Sequence, residues 1–162
     1  MILMKTAGLT LDPYSNSPIV ILKDESGEKV VPIWIGPMEA HAIAAELEGF
    51  KPPRPMTHDL LRNVLNTLEA KVQKVEITEL KDNTFYAVIH VELNGETYLI
   101  DSRPSDAIAL SLRTKSEIFV HPDVVEAAAP KDKDKLLDAE GEDRWKEILE
   151  SLSEDAFGKY KQ

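Results

Sequence analysis

The stretch "TFYAVIHVELNGETYLIDS" at residues 84–102 decides the fold. Two runs rich in β-branched and aromatic residues flank Asn94-Gly95, and Asn-Gly between such runs is the strongest short hairpin signal. "VQKVEITEL" (72–80) comes before them with similar alternation, so residues 72–102 read as a three-stranded antiparallel meander. Nearer the start, "IVILKDESGEKVVPIWIG" (19–36) is a second hairpin, with Ile19–Leu22 and Lys29–Ile35 as its strands. Trp34 within it reads as core. "MILMKTAGLTL" (1–11) alternates loosely and adds a further strand ahead of the turn-rich "DPYSNSP" (12–18).

Helical spacing interrupts these runs. "GPMEAHAIAAELEG" (36–49) places Pro37 in a first turn and Gly49 just past the end, with Ala40, Ile43, Ala44 and Leu47 on one face. "FKPPRPM" (50–56) is excluded from helix and central strand by its prolines. Thr57 is expected to cap a second helix that buries Leu60, Leu61, Val64, Leu65 and Leu68. Ser105 is expected to open a third, and "EIFVH" (117–121) a short closing strand. The fold class expected is α+β: a mainly antiparallel sheet with three packed helices and a C-terminal amphipathic helix. Residues 1–130 read as the domain. Residues 131–162 read as a charged linker followed by a helix with Trp145, Ile148, Leu149, Leu152 and Phe157 on one side. A lone helix cannot bury such a face, so it docks on its own domain or on a neighbouring subunit.

The chain has 162 residues and no cysteine, which excludes disulfides, zinc–thiolate sites and a cysteine nucleophile. Its 19 basic and 29 acidic residues give a net charge of −10, shared between both segments, which disfavours non-specific attraction to nucleic acid or anionic membrane. "MILMKTAGL" carries no basic leader and is broken by Lys5, so no membrane segment is expected and a cytoplasmic setting is.

One pattern occurs twice. "RPMTHDLL" (54–61) and "RPSDAIAL" (103–110) each run Arg-Pro, a hydroxyl residue, Asp, then an apolar helix start. Ser or Thr as N-cap with Asp in the first turn is common capping grammar, and each Arg could pair with a carboxylate for structure alone. If the two helix starts converge, however, they gather Arg54, Thr57, His58, Asp59, Arg103, Ser105 and Asp106, with Asp101 just upstream. Helix N-termini favour anions and Arg recognises phosphate with two parallel bonds. Paired carboxylates can hold Mg²⁺ or Mn²⁺, and a histidine can act as base. Those are the parts of a phosphodiester hydrolase. His41 lies mid-helix and reads as a surface or packing histidine, His90 and His121 have no ligand-spaced partner, and no phosphate loop, zinc motif or nucleophile elbow is present.

Together with "VVPIWIGPMEAHAIAAELEG" (30–49), "TFYAVIHVE" (84–92) and "IDSRPSDAIALSLR" (100–113), these stretches resemble the bifunctional nuclease (BFN) domain family over about residues 1–130. The tail "RWKEILESLSEDAFGKY" (144–160) is similar to that of shorter bacterial members. The resemblance implies a compact α+β domain that self-associates into homo-oligomers and a nuclease acting on DNA and RNA. It also implies a site at Glu39, Arg54, His58, Asp59, Asp101, Arg103, Ser105 and Asp106. In the nuclease reading His58, Asp59, Asp106 and Glu39 are catalytic. Arg54, Arg103, Ser105 and Thr57 bind phosphate, and Asp59, Asp106 and Asp101 hold the metal. Two alternatives use the same constellation: a non-catalytic oligomeric module built on a buried Arg/Asp network, and a sensor of a small anionic ligand such as a nucleotide.

Overall fold

The computed structural model describes residues 1–137 and 139–155, with Ala139, Glu140, Leu149 and residues 152–155 described by their backbone alone. Seven strands form one sheet: β1 (Ile2–Leu11), β2 (Pro18–Lys23), β3 (Val30–Trp34), β4 (Lys71–Lys81), β5 (Thr84–Leu93), β6 (Glu96–Ser102) and β7 (Glu117–Val120). Their spatial order is β3-β2-β1-β7-β4-β5-β6. The two hairpin systems are antiparallel, and β7 joins them, antiparallel to β1 and parallel to β4. The fold is therefore α+β with a mostly antiparallel sheet.

The helices are α1 (Pro37–Leu47), α2 (Thr57–Thr67), α3 (Pro104–Thr114), α4 (Pro122–Ala127), the single turn α5 (Lys133–Leu136) and α6 (Ala139–Asp155). On one face of the sheet Val20, Leu22, Val31 and Ile33, with Val75, Ile77, Ala87 and Ile89, share one core with Ala40 and Ile43 of α1 and Ile108 and Leu110 of α3. A smaller cluster on the other side, Ile19, Ile21 and Val30, is covered by Leu136 and Leu137. α6 lies on β1 and buries Trp145 in the main core, so the C-terminal helix docks on its own domain. The approach is close: a Cβ on Gly141 would stand 2.1 Å from the Thr10 hydroxyl. Ile148 is exposed. The side chains of Leu149 and Leu152, and the whole of Phe157, lie outside the described residues. Among those residues no helix is long and apolar enough to cross a membrane.

Several local expectations are corrected. Leu47 is exposed, whereas His41, Ala42 and Ala45 are buried, because α1 is covered on most sides. Trp34 ends β3 at the domain surface and is half-exposed, not core. On α2, Leu60, Leu61, Val64 and Leu68 are exposed, and of the expected apolar face only Leu65 packs on the core. The reason is polar. α2 is tied to the other helices through Asp59, whose Oδ1 accepts from Arg113 Nε at 2.7 Å. Arg113, in the last turn of α3, also donates from Nη1 to Ala109 O at 2.9 Å and from Nη2 to Ala42 O at 3.0 Å. Its side chain is 2% exposed.

A buried ion pair adds little net stability, yet removing one partner strands the other charge. Arg113→Ala should therefore cost about 3–5 kcal/mol in urea unfolding. Arg113→Met combined with Asp59→Leu should recover most of that loss.

Candidate functional site

The starts of three helices meet at one place. Each carries an acidic residue at the third helical position: Glu39 in α1, Asp59 in α2 and Asp106 in α3. Carboxylates there complement the exposed N–H groups and the helix dipole. The hydroxyl residues do not act as caps. Met56 and Arg103, both extended, occupy the N-cap positions, so Thr57 is the first helical residue and Ser105 the second. Pro104, whose fixed φ suits the first helical position, starts α3 one residue ahead of Ser105, the expected cap. For α2 the cap is inverted: Asp59 Oδ2 reaches back to accept from Met56 N at 3.0 Å.

A chain of four charged or polar side chains joins the helix starts. Arg103 Nη1 donates to Glu39 Oε1 at 2.9 Å, and its Nε donates to Asp106 Oδ2 at 2.7 Å. The other Asp106 oxygen, Oδ1, lies 3.0 Å from His58 Nε2. Burial pushes the Asp106 carboxyl up, but the bonds and charges of Arg103 and His58 outweigh it and hold the group below its usual range. An ionised carboxylate is acceptor-only, so Nε2 of His58 must carry a proton, and in the neutral imidazole that arrangement leaves the lone pair on Nδ1. Asp106 first, and Glu39 second, raise the Arg103 guanidinium above its already high value. Glu39 folds over the α1 start so closely that a Cβ on Gly36 would stand 2.2 Å from its Oε2.

Arg103 remains 64% exposed, and its Nη2 makes no hydrogen bond to a described residue. Ser105 is 6% exposed and lines an adjoining cleft, and its hydroxyl likewise has no partner among the described residues. Both present donors to whatever enters. Glu39, His58, Arg103, Ser105 and Asp106 are thus brought together. Asp59 is turned away, with one oxygen on Arg113 and the other on Met56 N. Burial raises Asp59, while the Met56 N–H and Arg113 lower it further, so it is held as a carboxylate. Arg54 and Thr57 are exposed beside the α2 start. Asp101 is exposed on β6, where alternation sets it with Leu99 on the face opposite Ile100 and Ser102.

The residues do not fit a divalent metal in this arrangement. Both Asp106 oxygens are engaged, Asp59 is paired with Arg113, and Asp101 joins neither. Among the described residues no group of three His, Asp or Glu side chains is placed to hold an ion. Arg113 is the residue that the sequence reading missed. Its signal was a single cation closing the otherwise apolar helix "AIALSLR" (107–113).

The family described as "Bifunctional nuclease domain" matches residues 20–133. An uncharacterized protein of Mycobacterium tuberculosis is 36% identical over 161 residues, covering 95% of this chain and 96% of that protein. Bifunctional nuclease 1 of Oryza sativa subsp. japonica is 26% identical over 113 residues, 68% of this chain and 34% of its own. Bifunctional nuclease 1 of Arabidopsis thaliana is 26% identical over 115 residues, again 68% of this chain and 35% of its own.

The lowered Asp106 carboxyl carries a pH signature. A group depressed in the native state contributes stability above its unfolded value, here 3.8, and loses it as pH falls through the native value. Asp106→Asn should therefore be less stable than the wild type near neutral pH. In urea titrations the gap should narrow as pH falls below 3.8 and vanish once pH has passed through the lowered native value.

Proposed function

The chain belongs to the bifunctional nuclease domain family, and from that premise we propose that the Glu39–Arg103–Asp106–His58 chain is a site of phosphodiester hydrolysis in DNA or RNA. The observation that carries this reading is Arg103. Two carboxylates hold its guanidinium in place while Nη2 and the exposed flank stay available to a phosphate. A purely structural arginine would be enclosed, as Arg113 is.

The chemistry follows from the atoms present. The phosphodiester lies against Arg103 and the Ser105 hydroxyl, which donate to its non-bridging oxygens and stabilise the charge of the transition state. A water on the far side loses its proton to His58 Nδ1, and Asp106 stabilises the imidazolium so formed. The phosphorus–oxygen bond to water forms, the bond to the leaving oxygen breaks, and the proton is returned to that oxygen. Arg54 and Thr57, beside the α2 start, extend the anion-binding rim. Glu39 positions Arg103. Mg²⁺ or Mn²⁺, expected from the sequence, would have to displace Arg103 or His58 from Asp106.

A second reading, compatible with the first, concerns assembly. Leu60, Leu61, Val64 and Leu68 on α2, and Tyr98, Leu99 and Ile100 on the edge strand β6, are all exposed. β6 has no Lys or Pro and pairs with β5 without a register shift, so Glu96 and Asp101 are the only charges along its open edge. We infer that these surfaces are covered by further copies of the chain. Light scattering should then give a multiple of 18.1 kDa for the wild type. Leu61→Glu with Leu99→Lys should shift it to the single-chain mass. A monomeric wild type would contradict the inference.

The catalytic reading is tested with highly purified protein on single- and double-stranded DNA and RNA, in Mg²⁺, Mn²⁺ or EDTA. Cleavage should fall by about 100-fold or more in folded His58→Ala and Arg103→Ala. Undiminished cutting by both variants would remove the site from the reaction.

A further inference from the structure

Trp34 is 49% exposed at the end of β3, although its neighbours Val31 and Ile33 are core residues. Its ring is not loose: the indole Nε1 donates to Asp12 Oδ2 at 2.8 Å. The ring lines two adjoining clefts that share Trp34, Asn83 and Phe85 as a common wall. One, of about 290 Å³, runs past Gly36 and Glu39 to Arg103 and Ser105. The other, of about 450 Å³, passes Pro32 and Leu80. Asn83 stands at the β4–β5 turn with φ 58°, and its side-chain amide makes no hydrogen bond to a described residue.

We propose that the Trp34 cleft is a nucleobase subsite, receiving the base next to the phosphate that Arg103 holds, so that single-stranded nucleic acid is the substrate class. The inference rests on reading Arg103 and Ser105 as phosphate ligands. From there the cleft leads directly to a fixed aromatic face, and base–aromatic stacking tolerates any base because every base has a π-face. A ring already held by Asp12 loses little freedom on stacking, which is preorganisation. Asn83 adds one donor and one acceptor for a base edge. The cleft beside Arg103 is near the lower end of ordinary ligand pockets, room for one base and its phosphate. A base inside a duplex has both faces stacked and cannot enter without being flipped out.

The test compares two probes of equal length: a single-stranded oligonucleotide with cleavage-resistant phosphorothioate linkages, and the same backbone without bases. The wild type should bind the base-bearing strand about tenfold more tightly and show quenched indole emission with that strand alone. Trp34→Ala should weaken the base-bearing strand about tenfold and leave the abasic one unchanged. Trp34→Phe, with its aromatic face kept, should stay within about threefold of the wild type. Melting curves matched to the wild type exclude misfolding. Arg103→Ala should weaken both strands. Equal wild-type affinity for both strands, or unchanged binding by Trp34→Ala, overturns the subsite while an Arg103→Ala effect preserves the phosphate reading. No binding of either strand, or no effect of Arg103→Ala, overturns both.

Discussion

The buried Arg113 guanidinium touches all three helices that build the site: Ala42 of α1, Asp59 of α2 and Ala109 of its own helix. Asp59 in turn holds the Met56 N–H. The orientation of α2 therefore follows from directional polar bonds rather than from apolar burial, which is why its leucines can face outward. Such a pair contributes little by area or charge, but any helix arrangement that separates its members leaves a desolvated charge. His58 stands one residue before Asp59, so the bond that fixes α2 also brings His58 to Asp106. Structure and site share one anchor.

A second level of order sits above that anchor. A chain with net charge −10 has no general attraction for phosphate, so recognition falls on a few directed donors. Glu39 and Asp106 hold Arg103 in a fixed pose, three helix starts point N–H groups towards the same region, and Asp106 sets the proton on His58. The same carboxylates that make the region acidic are engaged with its cation. They orient the guanidinium without closing it off, since Arg103 remains mostly exposed. The contrast between Arg103 and Arg113, two arginines ten residues apart, is the contrast between presenting a charge and enclosing one.

Much of this was legible in the sequence. Asn94-Gly95 and the alternation around it gave the meander, Pro37 and Gly49 bounded α1, and the doubled Arg-Pro motif identified the helix starts that meet. What failed has physical causes. The leucines of α2 have helical spacing, but periodicity shows which residues share a face, not what covers it. Trp34 lies in a buried hairpin, yet it is the strand's last residue, and Asp12, distant in sequence, holds it at the surface. Thr57 and Ser105 fit capping grammar, but Asp59 reaching back to Met56 and Pro104 at the first helical position displaced them. Arg113 was missed because a single cation at the end of an apolar helix does not name its partners, two of which, Asp59 and Ala42, come from other helices.

The central question is whether a phosphodiester lodges between Arg103 and His58. Histidine ring signals, followed by nuclear magnetic resonance while a cleavage-resistant dinucleotide is added, answer that. His58 should shift on titration, His90 and His121 should stay in place, and Arg103→Ala should abolish the shift. An unmoved His58, or an identical shift in Arg103→Ala, would show that the phosphate binds elsewhere and that the four-residue chain is architecture.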